Sequence, residues 1–191
     1  MKTRSIMIVG VGGQRSLLAS RITRNVLLSQ GFDVKVSEVH GMSQRGGSVV
    51  TYVKYGSEVC SPVVEKGEAD IIISFEQLEA ARYVSYLKKG GHIITSTQQI
   101  DPMPVITGAA VYPEDIIGKL KAEGVDVIAV DALALAEQAG TAKASNVVLM
   151  GVVSTKMAFD EDVWQKALEN CVPAKFLELN KKAFALGREV K

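Results

Sequence analysis

The sequence is poor in the side chains that usually hold metal ions and clusters. It has only two cysteines, Cys60 and Cys171, and only two histidines, His40 and His92. An iron–sulfur cluster or a structural zinc ion usually takes about four such ligands. We therefore expect this chain to bind no metal, and we expect both cysteines to be reduced and to lie in or near the core.

No block of one charge and no long apolar run is present. The 22 Lys and Arg residues balance the 21 Asp and Glu residues, which leaves a formal net charge of +1. Nucleic-acid binding needs clustered cations that displace counterions from phosphates, so we expect no nucleic-acid partner. The longest strongly apolar run, Val147–Val153, is far too short to span a bilayer.

The amino terminus carries only a superficial signal-peptide pattern. Its apolar stretch, Ile6–Val9, is short and runs directly into Gly10, without a small-residue cleavage site. A first β-strand explains this stretch better. The sequence therefore predicts a cytoplasmic protein with no membrane association.

What the sequence does contain is an alternation of short β-branched runs and longer helical patterns. This alternation predicts one α/β domain over residues 1–191, with a largely parallel, Rossmann-like sheet flanked by helices. The stretch Ser48–Tyr55, followed by Gly56 and an extended piece around Val59, predicts a β-hairpin-like insertion. The other predicted strands are Ile6–Val11, Val34–Val39, Ala69–Phe75, Ile93–Ser96 and Val125–Val130. The predicted helices are Gln14–Gln30, Glu76–Lys89, Pro113–Glu123, Ala132–Ala139, Ser145–Met157, Asp160–Asn170 and Pro173–Leu186.

The turn after the first predicted strand is rich in glycine. Gly12, Gly13 and Gln14 stand where the first N–H groups of the following helix point at any bound anion. The turn is similar to the start of a dinucleotide-binding Gly-x-Gly-x-x-Gly motif, and Glu38 imitates the acidic ribose ligand of that motif. Arg15 replaces the third glycine, which would crowd the packing of the helix on the strand. A tight turn without a ligand remains the alternative.

The second unusual segment is Glu38–Ser48, directly after the second predicted strand. Its polar side chains stand among three glycines, at the edge where α/β proteins bind ligands. Arg45 offers a planar fork of donors for a carboxylate or a phosphate. We predict a ligand or subunit contact at Ser43, Gln44, Arg45, Gly46 and Gly47.

No pattern predicts a catalytic residue in this chain. Ser43 lies near His40 in the sequence, but there is no Gly-x-Ser-x-Gly nucleophile turn and no phosphate-binding Gly-x-x-x-x-Gly-Lys-Ser/Thr loop. For His40 we favour a structural role over acid–base catalysis. Asp70 and Glu76 flank the end of a predicted strand, and we interpret both as capping residues.

Together the two segments resemble a known family. Residues 10–14 (Gly-Val-Gly-Gly-Gln) and residues 38–49 (Glu-Val-His-Gly-Met-Ser-Gln-Arg-Gly-Gly-Ser-Val) are similar to the gamma-type domain of pyruvate and other 2-oxoacid:ferredoxin oxidoreductases. The form of residues 40–47 most resembles the beta subunits of indolepyruvate ferredoxin oxidoreductases. Residues 70–76 and Asn146 with the following Leu149-Met150-Gly151 also match family segments, so the resemblance covers nearly the whole chain. The sequence departs from the family at Arg15, where glycine is common.

The resemblance implies a division of labour between subunits. A larger partner would bind thiamine diphosphate with Mg²⁺, carry 4Fe–4S clusters, decarboxylate an arylpyruvate-type 2-oxoacid and pass the electrons to ferredoxin, and coenzyme A would take the acyl group. This chain would bind no cofactor alone and would be inactive alone. Its two segments would contact the partner or an anionic part of coenzyme A. The stoichiometry stays open, with two copies of each chain as one arrangement.

Two other classes of function remain alternatives. One is a free-standing NAD(P)-binding oxidoreductase, which the glycine turn suggests. The other is a non-enzymatic binding or scaffold module on the same fold, because a fold alone does not fix a function.

Overall fold

The computed structural model describes residues 3–14, 16–39 and 47–190. The strands are β1 (Arg4–Val11), β2 (Asp33–Glu38), β3 (Ser48–Gly56), β4 (Ala69–Ser74), β5 (Leu87–Ser96) and β6 (Asp126–Val130). The helices are α1 (Ser16–Ser29), α2 (Gln77–Tyr83), α3 (Met103–Ile106), α4 (Ile116–Ala122), α5 (Ala132–Ala139), α6 (Ser145–Lys156), α7 (Glu161–Cys171) and α8 (Leu177–Arg188).

The strands form one mixed six-stranded sheet in the order β2–β3–β1–β4–β5–β6. β1, β4, β5 and β6 run parallel to one another, whereas β3 runs antiparallel to both β1 and β2. The antiparallel strand therefore lies inside the main sheet and forms its hairpin with β2. Val59 belongs to no strand, and its amide donates instead to the Asp33 carboxylate at 2.8 Å. The predicted α/β class is confirmed.

The central strands β1 and β4 are buried over nearly their whole length because helices cover both faces of the sheet. On one face, Ile6 and Ile8 of β1 pack in a core that includes buried residues of α1, α5, α6, α7 and α8. On the other face, Met7 and Val9 pack with apolar residues of α2 and α4. Because β1, β2, β4, β5 and β6 run in the same direction, their carboxyl ends share one edge, which is where α/β proteins bind ligands.

Helix α6 is a buried helix, as its uniformly apolar sequence predicts. Every residue from Asn146 to Ser154 is buried. The helix packs closely on α8 through two glycines. A Cβ on Gly151 would lie 2.1 Å from the Phe184 carbonyl oxygen, and a Cβ on Gly187 would lie 2.0 Å from the Val148 carbonyl oxygen. Among the residues described, no helix combines the length and the apolar character needed to cross a bilayer.

The predicted helix Glu76–Lys89 is wrong over its second half. α2 is followed by a 3-10 turn, and β5 already begins at Leu87. Leu87 pairs with Ala69 of β4, so strand pairing decides the conformation of this stretch. The other predicted elements differ from the observed ones only at their ends.

Asp70 does not cap a helix, contrary to the prediction. Its carboxylate accepts a hydrogen bond from the Ser5 amide at 2.9 Å and forms a 2.9 Å ion pair with Lys88. Asp70 lies in β4, Ser5 in β1 and Lys88 in β5. Asp70 therefore links β1, β4 and β5 near their amino-terminal ends, at the opposite end of the sheet from the glycine turn.

Candidate functional site

The glycine turn after β1 meets the end of the second unusual segment. The Gly12 amide donates to the Gly47 carbonyl oxygen at 2.8 Å. The turn is closed by the Gln14 amide, which donates to the Val11 carbonyl oxygen at 3.2 Å. Gly13 has a φ of 102°, which glycine adopts at little cost and other residues rarely do. Gly47, near the end of the second segment, thus lies against the glycine turn at the carboxyl edge of the sheet.

The side chain of Gln14 folds back and holds this turn in place. Its Oε1 accepts from the Val11 amide at 2.7 Å, and its Nε2 donates to the Phe75 carbonyl oxygen at 2.9 Å and to Gln98 Oε1 at 3.1 Å. Gly10 gives the side chain room, because a Cβ there would lie 2.9 Å from Gln14 Oε1. Gln14 therefore joins the ends of β1 and β4 to the loop after β5.

A cleft of about 250 Å³ opens beside the turn. The first residues of α5 and α6 line it, so the positive ends of two helix dipoles lie at this cleft. Among the described residues that line it, Lys143 is the one with a charged side chain. The Asp131 carboxylate caps α5 and offsets the dipole of that helix, so Lys143 and the start of α6 are the features that favour an anionic group. Its lining consists of Gly13, Gln14, Phe75, Ser96, Gln98, Ala132, Leu133, Ala142, Lys143, Ser145 and Leu149.

Glu76 is a buried carboxylate at the same edge, only 1% exposed. It caps α2 as predicted, because its side chain accepts from the Glu79 amide at 2.9 Å. It also accepts from the Ile100 amide at 3.3 Å and from the hydroxyl of Tyr112. Burial, together with the hydrogen bond to Glu76 and the charge of Glu76, raises the pKa of Tyr112. Glu76 thereby ties the loop after β5 to the start of α2.

Glu79 anchors the start of β3, a role that the sequence interpretation missed. This buried carboxylate accepts a hydrogen bond from Ser48 and lies 3.2 Å from the Arg82 Nε. Ser48 Oγ is also 3.3 Å from the Tyr83 hydroxyl. Burial raises the pKa of Glu79, and the Ser48 hydrogen bond and the Arg82 charge oppose that rise. No local sequence signal points to this role, because Ser48 and Glu79 are 31 residues apart.

The predicted site residues fall into two groups. Gly12, Gly13, Gln14 and Gly47 lie together at the edge just described. Residues 15, 40, 43, 44, 45 and 46 (Arg15, His40, Ser43, Gln44, Arg45 and Gly46) lie outside the described residues.

Glu38 does not stand where a dinucleotide fold places its ribose ligand. β3 separates β2 from β1, so Glu38 lies two strand spacings, roughly 10 Å, from β1 instead of one. Its carboxylate accepts a 2.6 Å hydrogen bond from Ser20 of α1.

The two cysteines have different surroundings. Cys171 is partly buried beside the larger core, as expected, and burial raises the pKa of its thiol. Cys60 is exposed, so its predicted place in or near the core is wrong. Neither thiol is part of a disulfide.

A mixed α/β sheet with helices on both faces defines a single domain of the Rossmann-like class. The chain belongs to the pyruvate ferredoxin/flavodoxin oxidoreductase family, whose sequence profile matches residues 5–190. Among curated relatives, it is 43% identical to the indolepyruvate oxidoreductase subunit IorB of Thermococcus kodakarensis, over 98% of this chain and 95% of that protein.

Two solved structures share the fold. The gamma subunit of a keto/oxoacid ferredoxin oxidoreductase from Geobacter sulfurreducens superposes with a TM-score of 0.76 at 22% identity, over 100% of this chain and 97% of that chain. A 2-oxoglutarate:ferredoxin oxidoreductase from Magnetococcus marinus, solved with 2-oxoglutarate, coenzyme A and succinyl-CoA, superposes with a TM-score of 0.76 at 18% identity, over 100% of this chain and 31% of that chain.

These findings confirm the predicted family and the prediction that the chain is a subunit of a 2-oxoacid:ferredoxin oxidoreductase. They favour that assignment over a free-standing NAD(P)-dependent enzyme. The relatives named as subunits also fit a multi-subunit enzyme.

Proposed function

We propose that this chain is the non-cluster subunit of an indolepyruvate or related arylpyruvate:ferredoxin oxidoreductase. The relative named as an indolepyruvate oxidoreductase subunit supports this substrate class. The chain would act as one domain over residues 1–191, in a heteromer with a larger subunit. The larger subunit would hold thiamine diphosphate with Mg²⁺ and the 4Fe–4S clusters, which supply decarboxylation of the 2-oxoacid and electron transfer to ferredoxin. The complex would be cytoplasmic, where the exposed Cys60 thiol stays reduced.

The observation that carries the proposal is the hydrogen bond from Gly12 to Gly47, which unites the two family-like segments at one edge. We propose that this edge faces the larger subunit and the approach of coenzyme A. The residues that would make these contacts are Gly12, Gly13, Gln14, Ser43, Gln44, Arg45, Gly46 and Gly47.

The residues of the edge fit an anionic part of coenzyme A. The cleft beside Gly13 has the Lys143 cation and the starts of two helices in its lining. Arg45 would add a planar donor fork for a phosphate. Gln14 would keep the turn in shape, and Glu79 would fix the chain at Ser48, where the second segment enters β3.

The test is to co-express this chain with its larger subunit and to measure indolepyruvate-dependent reduction of an electron acceptor while coenzyme A is titrated. Loss of a charge-assisted hydrogen bond costs about 1.5–3 kcal/mol, so Arg45→Ala should raise the KM for coenzyme A about tenfold or more. Arg45→Lys, which keeps the charge, should recover part of the loss. The matched control is Arg24→Ala, at an exposed arginine of α1.

An Arg45→Ala complex with normal assembly and unchanged coenzyme A dependence would show that Arg45 has no such role. Oxidation of arylpyruvates by the purified lone chain, or iron bound to it, would contradict the proposed division of labour. A titration of the lone chain with NADH and NADPH, followed by nicotinamide fluorescence, should show no tight binding.

A further inference from the structure

Residues 102–111, here called the apolar knob, project from the loop that follows β5. Three large apolar side chains of the knob are exposed: Met103 by 64%, Ile106 by 66% and Val111 by 88%. No other described part of the chain places three such side chains within ten residues. Exposed apolar residues that occur singly are ordinary, but a contiguous group marks an interaction surface.

The knob carries no charge. Residues 102–113 contain no Asp, Glu, Lys or Arg, although such residues make up 23% of the whole sequence. The centre of a protein–protein interface is depleted of charged residues and enriched in methionine and aromatic residues. In its lack of charge and its exposed methionine, the knob resembles the centre of an interface.

The knob is an ordered element with its own hydrogen bonds. The amides of Val105, Thr107 and Ala110 donate to carbonyl oxygens within the knob at 2.8, 2.9 and 3.0 Å. Both of its ends are fastened to one buried carboxylate, because Ile100 and Tyr112 each donate to Glu76. A fixed shape lowers the entropy that binding would otherwise cost.

This attachment also places the base of the knob at the edge that holds the candidate site. Glu76 follows β4 directly and caps α2, the helix whose Glu79 binds Ser48. A partner that covers the edge would therefore meet the knob as well.

We propose that the apolar knob docks into an uncharged apolar recess on the larger subunit of the complex. This inference rests on the proposed function. A protein occupant is supported by the relatives that are named as subunits of oxidoreductases. The charges beside the knob disfavour a lipid surface, because its flanks, Asp101, Glu114 and Asp115, are acidic and would be repelled by anionic head groups.

The test compares two triple variants in the co-expressed complex. The knob variant carries Met103→Ser, Ile106→Ser and Val111→Ser. The control variant carries Leu28→Ser, Val63→Ser and Phe176→Ser, at apolar side chains that are 45%, 53% and 49% exposed on other elements. All six side chains are already exposed, so both variants should keep the circular dichroism spectrum of the unmodified chain.

The knob variant should bind the larger subunit about a hundredfold more weakly, since burial of apolar side chains is the main source of affinity at such a surface. The control variant should bind with unchanged affinity. Equal affinity of the knob variant and the unmodified chain would overturn the inference. The inference would also be overturned if the unmodified chain forms a homodimer and the knob variant is a monomer, because the occupant would then be a second copy of this chain. Failure of the unmodified chain to bind any larger subunit would instead refute the proposed function.

Discussion

The side-chain amide of Gln14 donates a 2.9 Å hydrogen bond to the carbonyl oxygen of Phe75, across the gap between the ends of β1 and β4. The same side chain accepts from the Val11 amide at 2.7 Å. A glutamine has both a donor and an acceptor at its tip, and this position uses both. Gln14 was predicted as a ligand contact. Its hydrogen bonds show that it also shapes the turn from within the protein.

Replacing Gln14 should destabilise the turn. Gln14→Ala leaves the Val11 amide and the Phe75 carbonyl without these partners, so we expect a loss of about 2 kcal/mol in the free energy of unfolding, measured with urea. Gln14→Glu should lose at least as much stability, because its second carboxylate oxygen would face the Phe75 carbonyl oxygen and Gln98 Oε1. The control, Gln138→Ala at an exposed position of α5, should change the free energy by less than about 0.5 kcal/mol. Equal stability of Gln14→Ala and the unmodified chain would contradict the role assigned to the side chain.

Tyr112→Phe should also lower stability, because it removes one of the donors to the buried Glu76 carboxylate. A hydrogen bond to a charged group contributes about 1.5–3 kcal/mol, and we expect a loss in that range in urea unfolding. Tyr86→Phe is the matched control, at a partly exposed tyrosine on the same face of the sheet. If Tyr112→Phe loses as little free energy of unfolding as Tyr86→Phe, the Glu76 carboxylate is satisfied without Tyr112.

The raised pKa of Tyr112 further predicts that its phenol ionises at a higher pH than an ordinary tyrosine, which ultraviolet titration of the unmodified chain and of Tyr112→Phe would detect.

The burial of Glu79 predicts a definite pH dependence of stability. Because its pKa is raised in the folded state, the folded chain binds this proton more tightly than the unfolded chain does. The contribution of Glu79 to stability is therefore complete below its ordinary pKa of 4.5 and declines as the pH rises through the folded pKa. Glu79→Gln removes this titration. Relative to the unmodified chain, the variant should gain stability as the pH is raised from about 4 to about 7.

Urea unfolding at several pH values measures this difference. The matched control is Glu137→Gln, at an exposed carboxylate of α5. The charge of Arg82 and the Ser48 hydrogen bond oppose the rise in the pKa of Glu79, and the nearby Glu76 charge adds to it. If Glu79→Gln instead loses stability relative to the unmodified chain as the pH rises from about 4 to about 7, Arg82 and Ser48 outweigh burial.

Much of the fold follows from local sequence patterns. The apolar run Val147–Val153 predicts a helix buried all round, and the structure has every one of these residues buried in α6. The short helix Ala132–Ala139 is predicted with its observed bounds, because Gly140 ends it with a φ of 123°. In both cases the sequence of the segment itself carries the signal.

The predictions from sequence are wrong or incomplete where contacts between residues distant in the sequence determine the structure. The pattern of β3 predicts a strand, but only its pairing with β1 and β2 places it between them and moves Glu38 away from the glycine turn. The Ser48–Glu79 contact likewise joins residues far apart in the sequence, so no local pattern contains it. The shared edge of the two segments could be predicted because the strands that precede them, β1 and β2, end at the same edge of the sheet.

Replacement of Gly151 should disrupt the contact between α6 and α8. A Cβ there would lie 2.1 Å from the Phe184 carbonyl oxygen, a backbone atom that cannot rotate away. Gly151→Ala must therefore push the two helices apart, although alanine has the higher helix propensity. Overpacking of this kind costs about 3 kcal/mol, and we expect a loss of that size in urea unfolding. The control is Ala185→Leu, which adds more bulk to α8 at an exposed position and should change stability by less than about 0.5 kcal/mol. A Gly151→Ala variant as stable as this control would show that α6 and α8 can separate without cost.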